Sequence, residues 1–165
     1  MVAQVIAEMI RYFDGDVRRI NHALKVYGLA KTIGKLEGLD SEVQQRLELA
    51  AVLHDIGIKE SERKYGSASG HYQEIEGPPV AGTILGALNC DSAAMERIAF
   101  LIGNHHSYGK IDAPDFQILV EADFLVNIFE DSMTPAVVAE VGRKIFKTAT
   151  GKQLLARMYP QGTAE

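Results

Sequence analysis

The chain has 165 residues, 47% of them hydrophobic, and its 17 basic against 22 acidic residues give a net charge of −5. That is enough apolar material for one ordinary domain with a real core, while the acidic balance argues against a binder of nucleic-acid polymers, whose affinity accumulates from Lys and Arg. A lone cysteine, Cys90, offers no disulfide framework and makes a reducing, cytoplasmic setting the expectation, and no apolar run approaches the roughly 20 residues of a bilayer span, so no membrane partner is expected.

In chain order, MVAQVIAEMIRYF reads as an amphipathic helix over 2–13, not a signal peptide, stopped by Asp14-Gly15. Asp16 is a good N-cap for a long helix through Glu37, with Gly38 beyond it. Asp40 or Ser41 caps a third, in which Val43, Leu47, Ala50, Ala51 and His54 recur at steps of three and four, ending at Gly57. Residues 58–75, polar and rich in Gly, Ser, Lys and Tyr, predict a long loop of the kind that is often functional. Pro78-Pro79 suit the first turn of a helix reaching about Leu88. Asp91 or Ser92 starts another that ends near Gly103-Asn104. After a turn containing Gly109 and Pro114 comes the strongly apolar FQILVEADFLVNIF, then a helix opened by Thr134-Pro135, then a short one over 151–158. No segment alternates as a strand would. The expectation is an all-α fold: a single-domain helical bundle over 1–165, its functional core about 16–130, with helices from 134–158 packing on it.

Polar residues interrupt this pattern at three places. His22 sits among Val26, Leu29 and Ile33; His54 and Asp55 close the third helix; Asp123 is surrounded by Leu119, Val120, Ala122, Phe124 and Val126. Each alone has a plain explanation, since an inward histidine is often a satisfied core residue and Asp123 could pair with an arginine. Burying an unpaired carboxylate is costly, however, and one divalent cation satisfies all three helices together, because neutral imidazoles and carboxylates are its usual ligands. Neighbouring residues on a helix point about 100° apart, but at a helix end beside Gly57 the His54-Asp55 pair can approach one ion from two sides.

The order His22, then His54-Asp55, then Asp123, with Leu53 and Ile56-Gly57 around the dyad and Glu121-Ala122 before the last aspartate, resembles the HD-domain superfamily of metal-dependent phosphohydrolases. The resemblance spans roughly 16–130 and is specific in combination. It implies a helical bundle opening onto a metal held by His22, His54, Asp55 and Asp123, with Asp55 bridging if two metals bind. Fe, Mn, Mg, Ni and Zn all suit such ligands. Two-metal members carry further histidines on the intervening helices, for which this chain offers Glu76, His105 and His106. EGPPVAGTIL with NHHSYG looks like the diadenosine-polyphosphate hydrolase branch, in which a histidine stands at the Glu76 position. Ile58 occupies the place of the usual dyad lysine, with Lys59 after it.

The implied chemistry is attack by metal-activated water on a small phosphorylated substrate, a nucleotide first. Asp55, His106 and Lys59 are the catalytic candidates, with His106 or His71 as acid for the leaving group. Arg18 and Arg19, four and three residues before His22, together with Lys59, Lys64 and His71, are the candidates for binding substrate. A homodimer is compatible with the sequence and not required by it. Two other functions fit the same residues: a di-iron oxygenase of this fold, and a non-catalytic metal- or nucleotide-binding sensor.

Overall fold

The computed structural model describes residues 1–160. They form an all-α bundle of nine α-helices and one 3₁₀ turn: α1 (Val2–Phe13), α2 (Val17–Leu36), α3 (Ser41–Leu53), α4 (Ile58–Tyr65), α5 (Gly70–Ala87), α6 (Ser92–Ile102), the 3₁₀ turn Tyr108–Lys110, α7 (Pro114–Glu130), α8 (Pro135–Lys144) and α9 (Ala149–Met158). No helix among the described residues is long and apolar enough to cross a membrane.

The starts of α2, α3, α6 and α9 are capped by side chains. Asp16 accepts from the Arg19 amide, Asp40 from those of Glu42 and Val43, Asp91 from that of Ala94, and Thr148 from that of Gly151. Each carboxylate or hydroxyl satisfies an amide that has no partner within its own helix. The centre of the bundle is α3, packed against α1, α2, α6 and α7. Its second half, Leu47 to Leu53, is buried on every face, so the chain leaving it starts from the middle of the protein. That position carries His54 and Asp55. The C-terminal α9 packs on α7 and α2, fixed by Glu121. This carboxylate is fully buried on α7 and accepts from the Lys147 and Thr148 amides, the Thr148 hydroxyl and Gln117.

Two expectations are corrected. Residues 58–75 are not a long loop: α4 begins directly after the dyad, and only a short connection separates it from α5. Nor does the following helix begin at Pro78-Pro79, for both prolines lie inside α5. Each removes one amide, leaving the carbonyls of Glu74 and Ile75 without their helical donors. The helix extends upstream because its first two turns are fastened by side chains. Gln73 donates to the Ala68 carbonyl at 2.7 Å, Glu74 accepts from the His106 amide at 3.0 Å and the Ser107 hydroxyl at 3.1 Å, and Glu76 accepts from Lys64 and Tyr65. Glycines let the α3–α4 turn approach this segment closely. A Cβ on Gly57 would lie 2.4 Å from the Gly77 nitrogen and 2.7 Å from the Gln73 carbonyl oxygen.

Candidate metal centre

Four helices deliver polar side chains to one point. His22 comes from the first half of α2, His54 and Asp55 from the turn that ends α3, His105 and His106 from the turn that ends α6, and Asp123 from the middle of α7. His22 Nε2 lies 3.1 Å from His54 Nε2, and each faces Asp123 Oδ1, at 3.3 and 3.6 Å. Asp55 joins two groups. Its Oδ2 is 3.6 Å from both His22 Nε2 and His54 Nε2, and its Oδ1 is 3.3 Å from His105 Nε2. Ligand atoms of His22, His54 and Asp123 all lie within 4.8 Å of one another, and so do those of Asp55, His105 and His106.

The orientation of the imidazoles shows what this cluster fits. His54 Nδ1 is 2.9 Å from the Ala51 carbonyl oxygen, His105 Nδ1 is 2.8 Å from that of Ile102, and His22 Nδ1 is 3.0 Å from Glu130 Oε2. Those acceptors place the ring protons on Nδ1 and turn the Nε2 lone pairs inward, towards one another and towards two carboxylates. Lone pairs converging in a buried space repel unless a cation lies among them. His105 Nε2 is buried and has no hydrogen-bond partner among the described residues, as a ligand atom would be. Neutral imidazoles with carboxylates suit a divalent transition metal.

The electrostatics agree. Burial disfavours charge on His22, but the hydrogen bond to Asp123 and the charges of Asp55 and Asp123 outweigh it, and its pKa is pushed up to about 9. Fully buried His54 is raised in the same way, burial being overcome by Asp55 and Asp123. Burial also opposes ionisation of Asp55 and Asp123, yet the surrounding histidines hold both carboxyls well below the usual carboxylate range. The cluster thus sets a potential that favours positive charge, whether a proton or a metal ion. His106 behaves differently. Burial and the neighbouring His105 push its pKa down to about 4, leaving a neutral ring.

A second layer holds the inner residues. Glu130 binds His22 Nδ1 and is itself fixed by Lys25 at 2.7 Å, and Asn127 donates to Asp123 Oδ1 at 2.9 Å. A carboxylate behind a ligating histidine fixes its tautomer and raises its basicity. Glu130→Gln is therefore expected to weaken metal affinity about 10–100-fold, measured by competition with a chelator, with the helical circular dichroism unchanged.

The cluster opens to a cleft of about 370 Å³ lined by Asp16, Arg18, Arg19, His22, Asp55 and Asn127 among others. Arg18 is exposed and has no partner among the described residues. Arg19 is engaged by Glu62 through both ends of its guanidinium, at 2.6 and 3.1 Å, and by Asp16 at 3.0 Å. A larger cavity of about 640 Å³ between α2, α7 and α9 is lined mainly by apolar side chains, and its Lys25, Glu130, Thr32 and Tyr159 already bond within the protein. It offers shape without reactive groups.

Of the residues singled out from sequence, the structure brings together His22, His54, Asp55, Asp123, His105 and His106, with Arg18 and Arg19 at the rim. The others lie elsewhere. Lys59 Nζ donates to the Tyr12 carbonyl at 2.9 Å and covers the Tyr12 ring. Lys64 binds Glu76 at 2.5 Å, and Tyr65 binds the same carboxylate at 2.9 Å. Glu76 is thus committed to α4 and belongs to neither ligand group. His71 is exposed beside Tyr72, outside the cleft lining. Glu130, Lys25, Asn127 and Glu74 were not singled out. Glu130 could have been, because it follows Asp123 by two helical turns on the same face.

No curated protein and no solved structure matches the chain. The HD domain family model matches residues 19–137, a span that carries every residue of both ligand groups. The chain belongs to the HD domain family.

Proposed function

We propose that this protein is a metal-dependent phosphohydrolase that cleaves a small phosphate ester, a nucleotide or a related compound, with water as the nucleophile. The observation that supports this reading is the opening of the His22–His54–Asp55–Asp123 cluster onto a polar cleft whose rim carries the unpaired Arg18. A divalent ion bound there would supply hydroxide near neutral pH and polarise a phosphoryl oxygen.

The chain's own residues would do the rest. Asp55, with one oxygen towards each ligand group, orients the attacking water relative to the phosphorus. Glu130 and Asn127 keep His22 and Asp123 in their ligating orientations. Arg18 meets phosphate charge from the rim, while Arg19 holds the start of α2 against α4 through Glu62. The narrower assignment, to the diadenosine-polyphosphate hydrolase branch, rests on EGPPVAGTIL and NHHSYG. One unpaired arginine beside several carboxylates favours a substrate with few phosphates over a polyphosphate.

The test is phosphate release by protein loaded separately with Mn²⁺, Mg²⁺, Fe²⁺, Ni²⁺ or Zn²⁺, on a panel of nucleotides, dinucleoside polyphosphates and phosphomonoesters. Turnover that needs metal and stops with chelator is expected, with Arg18→Ala raising KM about tenfold through loss of one charge-assisted contact. Absence of turnover on the whole panel with every metal would overturn the proposal. The histidine-rich group of Asp55, His105 and His106 also supports a di-iron oxygenase as a second reading. As-purified colour, an iron electron-resonance signal and oxygen uptake would favour that reading over hydrolysis.

A further inference from the structure

The cavity of about 640 Å³ between α2, α7 and α9 plays no part in the metal cluster, yet it adjoins it. Glu130 lines both this cavity and the cleft. Its Oε2 lies 3.0 Å from His22 Nδ1 and its Oε1 accepts from Lys25 Nζ at 2.7 Å, so one carboxylate separates the two spaces. Along α2, Arg18, His22, Lys25, Leu29 and Thr32 recur at steps of four and three, which puts them on one face. Arg18 and His22 line the cleft, and Lys25, Leu29 and Thr32 line the cavity. The two spaces therefore follow one another along α2, over roughly 15 Å from His22 to Thr32 at the helical rise per residue.

The cavity wall indicates what fits it. Its apolar lining comes from Leu24, Leu29, Leu125, Val126, Phe129 and Met158. Phe129 is 75% exposed and Met158 45%, and a concave apolar patch left open to water is a mark of a ligand groove. The polar side chains there are already engaged: Lys25 with Glu130, the Thr32 hydroxyl with the Gly28 carbonyl at 2.8 Å, and the Tyr159 hydroxyl with the Leu125 carbonyl at 2.6 Å. A nucleobase or sugar placed there would bury donors and acceptors without partners, which is costly. A hydrocarbon chain has none to satisfy, and its burial is favourable.

We propose that the substrate is the monophosphate ester of a long-chain alcohol, with its phosphate in the cleft and its alkyl chain in the α2–α7–α9 cavity. The inference rests on the phosphohydrolase reading and names the ester within it. The single unpaired arginine at the rim, Arg18, suits one phosphate group. The chain passes from cleft to cavity over the aliphatic stem of Lys25, whose ammonium is held by Glu130. Hydrolysis adds water across the P–O bond to the chain: the water oxygen goes to phosphorus, a proton goes to the departing alcohol, and inorganic phosphate is released.

The experiment compares phosphate release by the Mn²⁺-loaded full chain from ethyl, butyl, hexyl and decyl phosphate, each below its micellar concentration. Each buried methylene is worth about fourfold, so kcat/KM should rise with chain length, for decyl over ethyl by about a hundredfold or more. Gly28→Phe fills the cavity: a Cβ at Gly28 meets nothing within 4 Å, and a longer helical side chain leans towards the N-terminus, over Leu24 and Lys25. It should lower the decyl-to-ethyl ratio about tenfold or more, with circular dichroism and metal content as in wild type. A second arm needs no turnover. Calorimetry should find decylphosphonate bound about a hundredfold more tightly than ethylphosphonate, and Gly28→Phe should remove that advantage. Ethyl phosphate hydrolysed without gain from chain length, or a ratio unchanged in Gly28→Phe, would overturn the proposal and leave the phosphohydrolase reading intact. Chain-dependent phosphonate binding with no ester hydrolysed would sink that reading and leave the cavity as the site of the chain. A wild-type dimer that Gly28→Phe converts to monomers, with no chain-length gain, would give the cavity to a second copy and overturn the proposal.

Discussion

Replacing Asp55 by Asn is expected to abolish phosphate release, by about a thousandfold or more, while leaving the protein folded. Asn keeps the shape of the side chain but removes the charge that faces His22 and His54 through one oxygen and His105 through the other. Loss of one preorganised electrostatic contact at a reacting centre costs about a hundredfold to a thousandfold, and Asp55 takes part in both ligand groups. The apo protein should tolerate the change, because Asp55 is partly exposed at the cleft and its carboxylate makes no contact that fastens one helix to another beyond the cluster. Measured as kcat/KM on whichever substrate the wild type cleaves, activity within tenfold of wild type would remove Asp55 from the chemistry.

The second large effect concerns stability. Gly57 has an ordinary φ of −73°, so a side chain there meets no backbone strain. The difficulty is space, because the atoms that a Cβ would strike are the Gly77 nitrogen and Cα and the Gln73 carbonyl oxygen. Backbone atoms of a packed helix cannot rotate away, so Gly57→Ala must push the α3–α4 turn off α5. It should cost about 3 kcal/mol, the upper end of the range for overpacking, and lower the melting temperature by about 10 °C in a domain of this size. Thermal unfolding measures it directly. An unchanged melting temperature would mean that α5 is not seated on the turn as described. The displaced turn carries His54 and Asp55, so metal affinity should fall in the same variant.

The most legible parts of the protein were those where an apolar periodicity was broken by a residue of the wrong chemistry. His22, His54 and Asp123 each interrupt a hydrophobic stripe, and the structure places all three in one group. Helix starts were legible from Asp16, Asp40 and Asp91, because the capping carboxylate acts within a few residues of itself. The segment 58–75 was misread for a physical reason. The buried stripe of α5 runs through Gln73, Glu76, Gly77, Ala81 and Leu85, a helical spacing whose first half is polar or without a side chain. Hydrophobic periodicity does not register such a stripe. Its burial becomes favourable only through partners that are distant in sequence, Glu74 with the turn at 106–107 and a glycine seat for His106.

The same distance hid Glu130 and Lys25, whose pairing spans most of the chain. Lys59 and Lys64 are expected to reach substrate because they follow the dyad in sequence, and Glu76 to bind metal because it stands where the resembling branch carries a histidine. In the fold, the helical path of α4 turns Lys59 back to Tyr12 and sets Lys64 against Glu76. Closeness along a helix puts successive side chains on different faces, and for these residues the face decided the partner.

The proposed single metal site of His22, His54, Asp55 and Asp123 is tested most directly by diffraction from crystals of the full chain grown with Mn²⁺, collected to give anomalous differences at the manganese edge. An anomalous peak is expected about 2.0–2.3 Å from Nε2 of His22 and His54 and from carboxylate oxygens of Asp55 and Asp123. A site without a peak in protein shown to bind Mn²⁺, or a peak coordinated by other residues, would contradict it.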